Sequence, residues 1–454
     1  MTHLVPRPLG AVDHWPEPVA ARVRRLLAAG IPAYAVGGVV RDALRGGTSR
    51  DWDIATPALA TEVAARLDDA ASVDARLGAV HFDLEDGYEL TFTTFRRDAD
   101  YVDHRHPSRV EFVTELDADA PRRDFSCNAI YVDARDGRVF DPCGGVEDLA
   151  VGVLRCIGEP SHRFEEDVLR LLRAVRFAAQ VGLSVEPGTW AAVQAKAPLL
   201  SALSAERTFA ELTAMFGGAG RGRALRLLVD SGLAAVVLPE VIAMDGVPQP
   251  PEYHPEGDVL THVCLVLDAV ETGSAVQSWC AVLHDVGKPA TFERAADRIR
   301  FTGHDVLSAT MADAALRRLR AAGELRETVV EVCRDHIRFA SLPLMRPARR
   351  ERWLRSARFP AHLAFHRADC LGSHGKLDVF RAAERWLAEL PAQAPPPLCT
   401  GADVLALGVP SGRLVGVILR ETQAALDELD APDRDTALSI LARCAAIHLG
   451  GGSS

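Results

Sequence analysis

The sequence predicts an α+β fold, in which a small head with a mixed sheet precedes a long all-helical region. Short β-rich stretches bounded by Gly, Asp or Pro run from residue 72 to 140, as hairpins do. After Phe164, apolar residues recur at helical spacing. At 454 residues the chain is too long for one hydrophobic core, and about three domains are expected.

The elements follow in order from the amino end. Residues 20–30 have the pattern of a short amphipathic helix closed by Gly30. The apolar run IPAYAVGG predicts a strand that ends in a glycine turn, and VVRDALRG predicts the start of a helix. Turn-rich and proline-rich joints at 247–257 and 391–397 divide the helical part. We therefore predict a head at 1–150, a neck and body at 151–246, a further helical domain at 247–390 and a helical tail at 391–454.

Composition narrows the class of protein. The chain is 48% hydrophobic and 25% charged, as soluble proteins are, and its net charge of −11 disfavours a protein coated by nucleic acid. Nine scattered cysteines without a CxxC pair indicate a reducing compartment. No apolar run is long enough to cross a bilayer, and MTHLVPRPLG lacks a signal pattern. We expect a cytoplasmic protein without a membrane partner, and the oligomeric state stays open.

The first candidate site combines a double glycine with two closely spaced aspartates. A strand, a glycine turn and a helix start leave unpaired backbone N–H groups where phosphate oxygens can approach. Asp51 and Asp53 are alternate residues of an extended segment, so both side chains project from the same face. Together they can hold one or two Mg²⁺ ions. Either fragment alone is more typical of a turn or an exposed loop, but the two together in this order predict phosphate chemistry. The motif comprises Gly37, Gly38, Arg41, Asp42, Asp51 and Asp53.

Paired arginines follow the β-rich stretch in Arg122-Arg123-Asp124, with Asn128 one helical turn later. Guanidinium groups can bind phosphates in a bidentate manner, which lysine does less well. An RRD segment by itself is more often a surface ion pair, so this motif supports the first one without proving it.

A third motif, EDVLR, begins the helical region. Glu166, Asp167 and Arg170 are spaced three and four residues apart, so that all can share one helical face. Hydrogen-bond acceptors beside donors on that face could pair with the edge of a base, although spacing alone favours an ordinary intrahelical salt bridge. Arg173 and Arg176 continue the same stripe, either as phosphate contacts or as solvated residues.

Histidines and aspartates with metal-ligand chemistry occur further on. His262, the doublet His284-Asp285 in AVLHDVGKP, and Asp369 suit a metal-dependent phosphohydrolase, because imidazole and carboxylate together bind a divalent transition metal. His304 and His336 could enlarge this site. Any single histidine is more often a packed or surface residue, but HDVGKP after an apolar helix is much less typical of chance.

The motifs together resemble a known family. YAVGGVVRDAL, RDWDIAT, RRDFSCNAIY, DPCGGVEDL and RFEEDVLRLLRAVRFAAQVGL, in this order, resemble the bacterial class II tRNA nucleotidyltransferases and poly(A) polymerases of the polymerase β-like superfamily. TGADVLALGVPSGRLVGVILRE (400–421) is similar to the tail of members with an HD domain, and HDVGKP resembles the HD superfamily itself. The resemblance implies metal-binding catalytic Asp51 and Asp53, a triphosphate pocket of Gly37, Gly38, Arg41 and Asp42, contacts to ribose and phosphates from Arg123 and Asp124, and selection of CTP then ATP by Glu166, Asp167 and Arg170.

The implied activity is the addition of C, C and A to tRNA 3′ ends from CTP and ATP, with Mg²⁺ and without a nucleic-acid template. An A-adding enzyme, a CC-adding enzyme and a poly(A) polymerase remain alternatives. An HD phosphohydrolase acting on RNA ends, with Ni²⁺ or Mn²⁺ at its site, is an alternative of another class, and a non-catalytic RNA-binding protein is a third.

Two details bear on the choice between these activities. The family often has an acidic residue just before TTFR, where this chain has Thr91, and Glu89 would face the same side of the strand. The segment at 96–112 resembles the family's flexible loop, which favours addition of the terminal A.

Overall fold

The computed structural model describes residues 9–67, 72–101, 107–252, 254–295, 298–393, 396–429 and 432–449. The described residues up to Leu154 form a mixed sheet with helices, the architecture predicted for the head. The prediction of an α+β fold with a helical remainder is confirmed. The elements of the head are α1 Glu17–Ala28, β1 Tyr34–Val36, α2 Gly38–Leu44, β2 Asp51–Thr56, α3 Ala60–Leu67, β3 Ser72–Asp74, β4 Ala79–Asp83, β5 Glu89–Thr94, β6 Arg96–Tyr101, β7 Pro107–Phe112, α4 Leu116–Asp119, β8 Tyr131–Asp133, β9 Val139–Phe140, α5 Gly145–Val151 and β10 Val153–Leu154.

Within the described residues, seven strands pair in the order β3-β4-β5-β2-β1-β8-β9. Strand β2 runs parallel to β5 and antiparallel to β1. Because side chains alternate along a strand, Trp52 and Ile54 enter the core of the head under α1, α2 and α3. Asp51 and Asp53 project from the opposite face, as the sequence predicts.

The glycine turn between β1 and α2 sets the distance between phosphate loop and carboxylates. Gly37 has φ +80°, a conformation that side chains rarely adopt. A Cβ added there would also lie 3.1 Å from Asp53 Oδ2. The positive φ and the close approach to Asp53 both favour glycine at position 37. The Gly37 backbone therefore lies directly against the Asp53 carboxylate.

The chain after the head is mostly helical. A short parallel pair, β10 with β11, joins the head to the neck. Helix α7 packs on α9 and α10, and α12, α13, α15 and α17 pack together further on. The elements are α6 Pro160–Glu166, α7 Leu169–Val181, β11 Ser184–Val185, α8 Pro187–Lys196, α9 Ala205–Gly217, α10 Arg221–Asp230, α11 Ala234–Val237, α12 Val259–Ala269, α13 Ala275–Leu283, β12 Phe292–Arg294, β13 Ile299–Phe301, α14 His304–Arg318, α15 Gly323–Asp335, α16 Pro347–Leu354, α17 Phe359–Leu371, α18 Asp378–Ala388, α19 Gly401–Ala406, α20 Arg413–Leu426 and α21 Arg434–Leu449.

One local expectation is wrong. Glu166, Asp167 and Arg170 do not share one face of one helix, because α6 ends at Glu166 and α7 starts only at Leu169. Asp167 lies between the two helices in an extended conformation, with φ −136° and ψ 103°. Its carboxylate accepts a hydrogen bond from Leu169 N at 3.2 Å, so the side chain competes with the helix for backbone donors.

The segment at 96–112 forms the two strands β6 and β7, which pair antiparallel. Residues 102–106 lie outside the described part of the chain, so the predicted flexible loop is described only at its two strands. In the described parts of the chain, no helix combines the length and apolar character needed to span a membrane.

Candidate nucleotidyl-transfer site and histidine-rich centre

Acidic side chains line the open face of the head sheet. Asp51 pairs in register with Glu89, so these two carboxylates and Asp53 project from one face. Burial, together with repulsion from Asp53 and Glu89, raises the pKa of Asp51 to about 6. Burial also raises the pKa of Asp53, although Arg123 and Arg173 oppose this effect. Negative charge is thus concentrated where a divalent cation would relieve it, and the residues fit such an ion.

Beside these carboxylates, Thr91 of β5 stands where the resembling family often has an acidic residue. Thr91, which pairs in register with Asp53, is followed on β4 by His81. The two side chains lie 2.9 Å apart, from Thr91 Oγ1 to His81 Nδ1. Glu89 does face the same side as Asp51, so the third carboxylate is placed as predicted, while its role stays a prediction.

Arg41 of α2 is held by its own neighbours. Its Nε and Nη2 donate to the two carboxylate oxygens of Asp42, at 2.9 and 3.1 Å. Its Nη1 donates to Asn128 Oδ1 at 2.8 Å. Asp42 therefore orients the guanidinium, and Asn128 links it to the segment after the arginine pair.

Asp119, which sequence reasoning missed, organises the arginine pair. This fully buried carboxylate accepts from Arg122 Nε at 2.7 Å and from Tyr131 Oη at 2.7 Å, while Arg123 Nη2 lies 3.5 Å away. Arg123 Nε also donates to Tyr131 Oη at 2.9 Å. The only local signal was its position three and four residues before the two arginines.

Asp124 uses both of its oxygens within the protein. Oδ1 accepts from Phe125 N at 2.8 Å and Asn128 Nδ2 at 3.1 Å, and Oδ2 accepts from Arg173 Nε at 2.8 Å. Burial would raise the pKa of Asp124, but Arg173 and these hydrogen bonds hold it well below its usual range. Asp124 therefore positions Arg173 beside the carboxylates.

The EDVLR motif is divided between a buried and a more open part. Glu166 Oε2 contacts Arg163 Nη1 and accepts from Arg170 Nη1 at 3.0 Å. Arg170 also donates from Nη2 to Arg122 O at 3.1 Å, which ties the neck to the head. Glu166 thus holds Arg170 in place and has little capacity left for a nucleotide.

Asp167 is the more accessible acceptor of this motif. Its side chain is 22% exposed, compared with 7% for Arg170. Arg207 Nη2 of α9 approaches Asp167 Oδ1 at 3.5 Å. One turn later on α9, Glu211 accepts from Arg176 Nε at 2.5 Å. Helix α9, which the sequence did not implicate, therefore contacts both Asp167, just before α7, and Arg176 on α7.

Six residues from five segments of the chain form a buried histidine-rich centre in its second half. The four predicted ligands lie together, and two further histidines join them. Each histidine has Nδ1 within 2.9 Å of a backbone carbonyl or carboxylate, which assigns the proton to Nδ1 and leaves Nε2 as a lone pair. The residues are His262, His284, Asp285, His304, His336 and Asp369.

The Nε2 atoms converge in two pairs around Asp285. His262 Nε2 and His284 Nε2 are 3.3 Å apart, and His304 Nε2 and His336 Nε2 are 3.2 Å apart. Lone pairs at these distances repel unless a proton or a cation lies between them. The first pair lies beside Asp285 Oδ2 and the second beside Oδ1, at 3.1 to 3.7 Å.

Asp285 supplies the test of whether a metal fits. Among the described residues, neither of its buried oxygens accepts a hydrogen bond of acceptable angle, although Lys288 Nζ lies 2.7 Å from Oδ2. Burial would raise the pKa of Asp285, but His284 and Lys288 keep it well below its ordinary value. An ionised buried carboxylate with unused lone pairs fits a cation on each side.

Glu256 is a further residue that sequence reasoning missed. Its Oε1 accepts from His262 Nδ1 at 2.8 Å and from His254 Nδ1 at 2.9 Å. Carboxylates of this kind orient the ring of a metal-binding histidine. The HPEGD segment carried both His254 and Glu256, but nothing local placed them behind His262.

Comparisons with known proteins agree with the head geometry. Residues 33–155 match the family model described as the poly A polymerase head domain, and residues 182–244 match the probable RNA and SrmB-binding site of polymerase A. The CCA-adding enzyme of Geobacillus thermodenitrificans is 43% identical over 212 residues, or 47% of this chain and 52% of that protein. The CCA-adding enzyme of Bacillus subtilis is 41% identical over 46% of this chain and 53% of that protein. The chain thus matches about half the length of these curated relatives.

A solved structure extends the likeness to the helical region. The crystal structure of the Bacillus stearothermophilus CCA-adding enzyme in complex with CTP has a TM-score of 0.67 at 25% identity, covering 95% of this chain and 97% of that chain. The head of the chain therefore matches the poly A polymerase head domain, and the structure as a whole is similar to that of a CCA-adding enzyme. A divalent metal ion fits the carboxylates of the head. The histidine-rich centre follows the residues matched by the two family models in the chain.

Proposed function

We propose that this chain is a CCA-adding tRNA nucleotidyltransferase, with the domains at 1–150, 151–246, 247–390 and 391–454 serving as catalytic head, neck and body, HD domain and tail. The observation that carries the proposal is the concentration of carboxylates on the head sheet, against the glycine turn and beside four arginines. Asp51 and Asp53 would hold Mg²⁺, which lowers the pKa of the attacking hydroxyl and neutralises the triphosphate. The arginines are Arg41, Arg122, Arg123 and Arg173.

The reaction makes one phosphodiester bond for each nucleotide. The 3′-hydroxyl oxygen of the tRNA attacks the α-phosphorus of CTP or ATP, and the bond to the β-phosphate breaks to release pyrophosphate. Arg123 and Arg173 would bind the phosphates that carry the developing charge, and Asp124 keeps Arg173 in place. The backbone beside Gly37 lets the nucleotide approach Asp53 closely.

Nucleotide choice follows from the arrangement at the neck. Cytosine and adenine both present a donor amino group next to an acceptor ring nitrogen, whereas uracil and guanine present the reverse. Asp167 offers an acceptor and Arg170 offers donors, which matches cytosine and adenine. Glu166 would act by holding Arg170, since its carboxylate is already bound.

An incorporation assay tests the proposal. Purified protein is given Mg²⁺ and radiolabelled CTP or ATP with a tRNA that lacks CCA, a tRNA that ends in CC, and a generic RNA. We expect both C and A to be added to the first tRNA. Addition of A alone to the CC-ended tRNA would indicate an A-adding enzyme, and C alone on the first a CC-adding enzyme. Long A tails on generic RNA would indicate a poly(A) polymerase, and no incorporation would contradict every transferase reading.

The histidine-rich centre favours a second activity, hydrolysis of phosphate esters as in HD phosphohydrolases. Asp285 would hold divalent ions through its unused oxygens, together with His262, His284 and Asp369 on one side and His304 and His336 on the other. Such ions would supply an activated water at neutral pH, and the ester P–O bond breaks with loss of an alcohol. The imidazole ligands would suit Ni²⁺ better than Mg²⁺, and the carboxylates of the same site would be compatible with Mn²⁺.

Metal analysis and hydrolysis of bis(p-nitrophenyl) phosphate test this second activity. We expect two transition-metal ions per chain, and hydrolysis that Asp285→Ala abolishes. His336→Ala should retain the ion held by His262, His284 and Asp369. Hydrolysis that persists unchanged in Asp285→Ala would show a contaminating enzyme.

A further inference from the structure

One aromatic ring lies among three arginines, of which Arg41 and Arg173 belong to the proposed nucleotide site. The guanidinium carbons of Arg176, Arg173 and Arg41 lie 4.4, 4.9 and 5.2 Å from the ring centre of Phe177. All three distances are within the range of cation–π attraction. Phe177 itself is 7% exposed and contacts Phe125 edge-to-face, with ring centres 6.0 Å apart.

Each of the three guanidinium groups also donates a hydrogen bond to a carboxylate. The partners are Asp42 for Arg41, Asp124 for Arg173 and Glu211 for Arg176. These hydrogen bonds orient the three groups individually but do not bring them together, and three like charges around one point repel. The negative face of an aromatic ring attracts cations, more so in a site from which water is excluded. Phe177 therefore supplies an attraction common to all three guanidinium groups, which the individual ion pairs do not provide.

The ring also spans the junction between head and neck. Arg41 lies on α2 and Phe125 follows the arginine pair of the head, whereas Phe177 lies on α7 of the neck. The same helix begins just after Asp167 and carries Arg170 in its first turn. A change at the ring would thus shift the phosphate-binding arginines relative to the base-reading end of α7.

We propose that Phe177 is a positioning residue, which gathers Arg41, Arg173 and Arg176 into one polyphosphate-binding cluster and fixes that cluster relative to the base-reading motif. This inference rests on the proposed nucleotidyl transfer. Phe177 does not itself contact the nucleotide. A side chain of similar size without a π system fills the same space but does not hold the cluster together.

Binding of inorganic tripolyphosphate, measured by calorimetry without tRNA, separates the ring's electrostatic role from packing. Phe177→Leu should weaken binding by about tenfold, and Phe177→Tyr, which keeps the π face, should stay within about twofold of wild type. The matched control is Phe216→Leu, because Phe216 is also buried, on α9, but meets Trp279 edge-to-face. It should leave binding unchanged. Phe177→Met replaces the leucine variant if that variant does not fold.

Steady-state kinetics on tRNA give the second readout. Phe177→Leu should raise KM for CTP more than it lowers kcat, and Phe177→Tyr should restore KM. Wild-type tripolyphosphate affinity in folded Phe177→Leu would overturn the inference, as would equal losses in the tyrosine and leucine variants. Tripolyphosphate binding that depends on Phe177 in a protein that adds no nucleotide would leave the cluster standing and contradict the proposed function instead.

Discussion

Asp53 in the head and Asp285 in the histidine-rich centre both lie among positive groups, but their pKa values are shifted in opposite directions. Burial raises the pKa of Asp53 in spite of nearby Arg123 and Arg173. The pKa of Asp285 is held well below its ordinary value by His284 and Lys288, although Asp285 is more deeply buried. Negative charge is therefore concentrated on one face of the head sheet, whereas in the centre an ionised carboxylate is enclosed by histidine and lysine nitrogens.

The surrounding hydrogen bonds differ in the same sense. Around the head carboxylates, each arginine has a protein partner such as Asp42, Asp119 or Asp124, so the positive half of the site is preorganised without a ligand. In the centre, histidine Nε2 atoms face each other, and Asp285 accepts no well-aligned hydrogen bond from the part of the chain that the structure describes. The head is therefore preorganised for a metal ion together with the proposed nucleotide, whereas the centre would gain its missing partners from bound ions.

The largest expected effect comes from the head. Asp53→Asn should lower nucleotide incorporation by at least about a thousandfold, because the variant loses a charged metal ligand at the reacting phosphate. Incorporation of labelled CTP into tRNA lacking CCA measures it. Asp83→Asn is the matched control, since Asp83 is an exposed aspartate in register with Glu89 on the adjacent strand. An Asp53→Asn variant that keeps a tenth of wild-type activity would exclude Asp53 as a catalytic ligand.

Metal removal should distinguish the two sites next. Chelation should lower the melting temperature of the wild type by about 5 °C or more, because loss of ions leaves the histidine-rich centre with repelling lone pairs. Asp53→Asn should respond in the same way, and Asp285→Asn should show little response to the chelator. Differential scanning calorimetry measures all three proteins. Equal responses in wild type and Asp285→Asn would mean that the centre holds no stabilising ion.

A smaller effect is expected behind the ligands of the centre. Glu256→Gln should weaken metal binding by about 10- to 100-fold, because His262 loses the carboxylate that fixes its ring and tautomer. Competition with a metal-sensitive chelator dye measures the affinity. Glu252→Gln, an exposed glutamate of the same joint, is the control. If both variants bind metal as the wild type does, Glu256 does not orient His262.

The parts of the site that sequence reasoning predicted are local. Strand alternation placed Asp51, Asp53 and Glu89 on one face, and the glycine turn placed Gly37 against Asp53. The His284-Asp285 doublet, which directly follows α13, predicted the histidine-rich centre. In each case the determining residues are neighbours in the chain or bear a characteristic motif.

The parts it missed depend on contacts between distant segments. Asp119 meets Tyr131, Glu211 meets Arg176 and Glu256 meets His262 only because the tertiary fold brings them together. The break at Asp167 was missed for a different reason. The spacing of EDVLR suits a continuous helix, and the competing hydrogen bond from Leu169 N to the Asp167 carboxylate is not visible in a periodicity.

The smallest effect concerns the third acidic residue of the head, and it sharpens the contrast with Asp53. Glu89 lies in register with Asp51 but is exposed at the start of β5, where water can replace part of its interaction with a cation. Glu89→Gln should therefore lower incorporation of CTP by only about tenfold, with the loss reduced at high Mg²⁺ because the variant mainly weakens metal binding.

The control is Thr91→Val, which removes the contact to His81 without changing charge. A Mg²⁺ titration of incorporation for wild type, Glu89→Gln and Thr91→Val separates the possibilities. A loss in Glu89→Gln as large as that of Asp53→Asn, and not reduced by Mg²⁺, would make Glu89 a full member of the catalytic set. No loss at any Mg²⁺ concentration would leave Asp51 and Asp53 as the two ligands, with Glu89 contributing only to the charge that raises the pKa of Asp51.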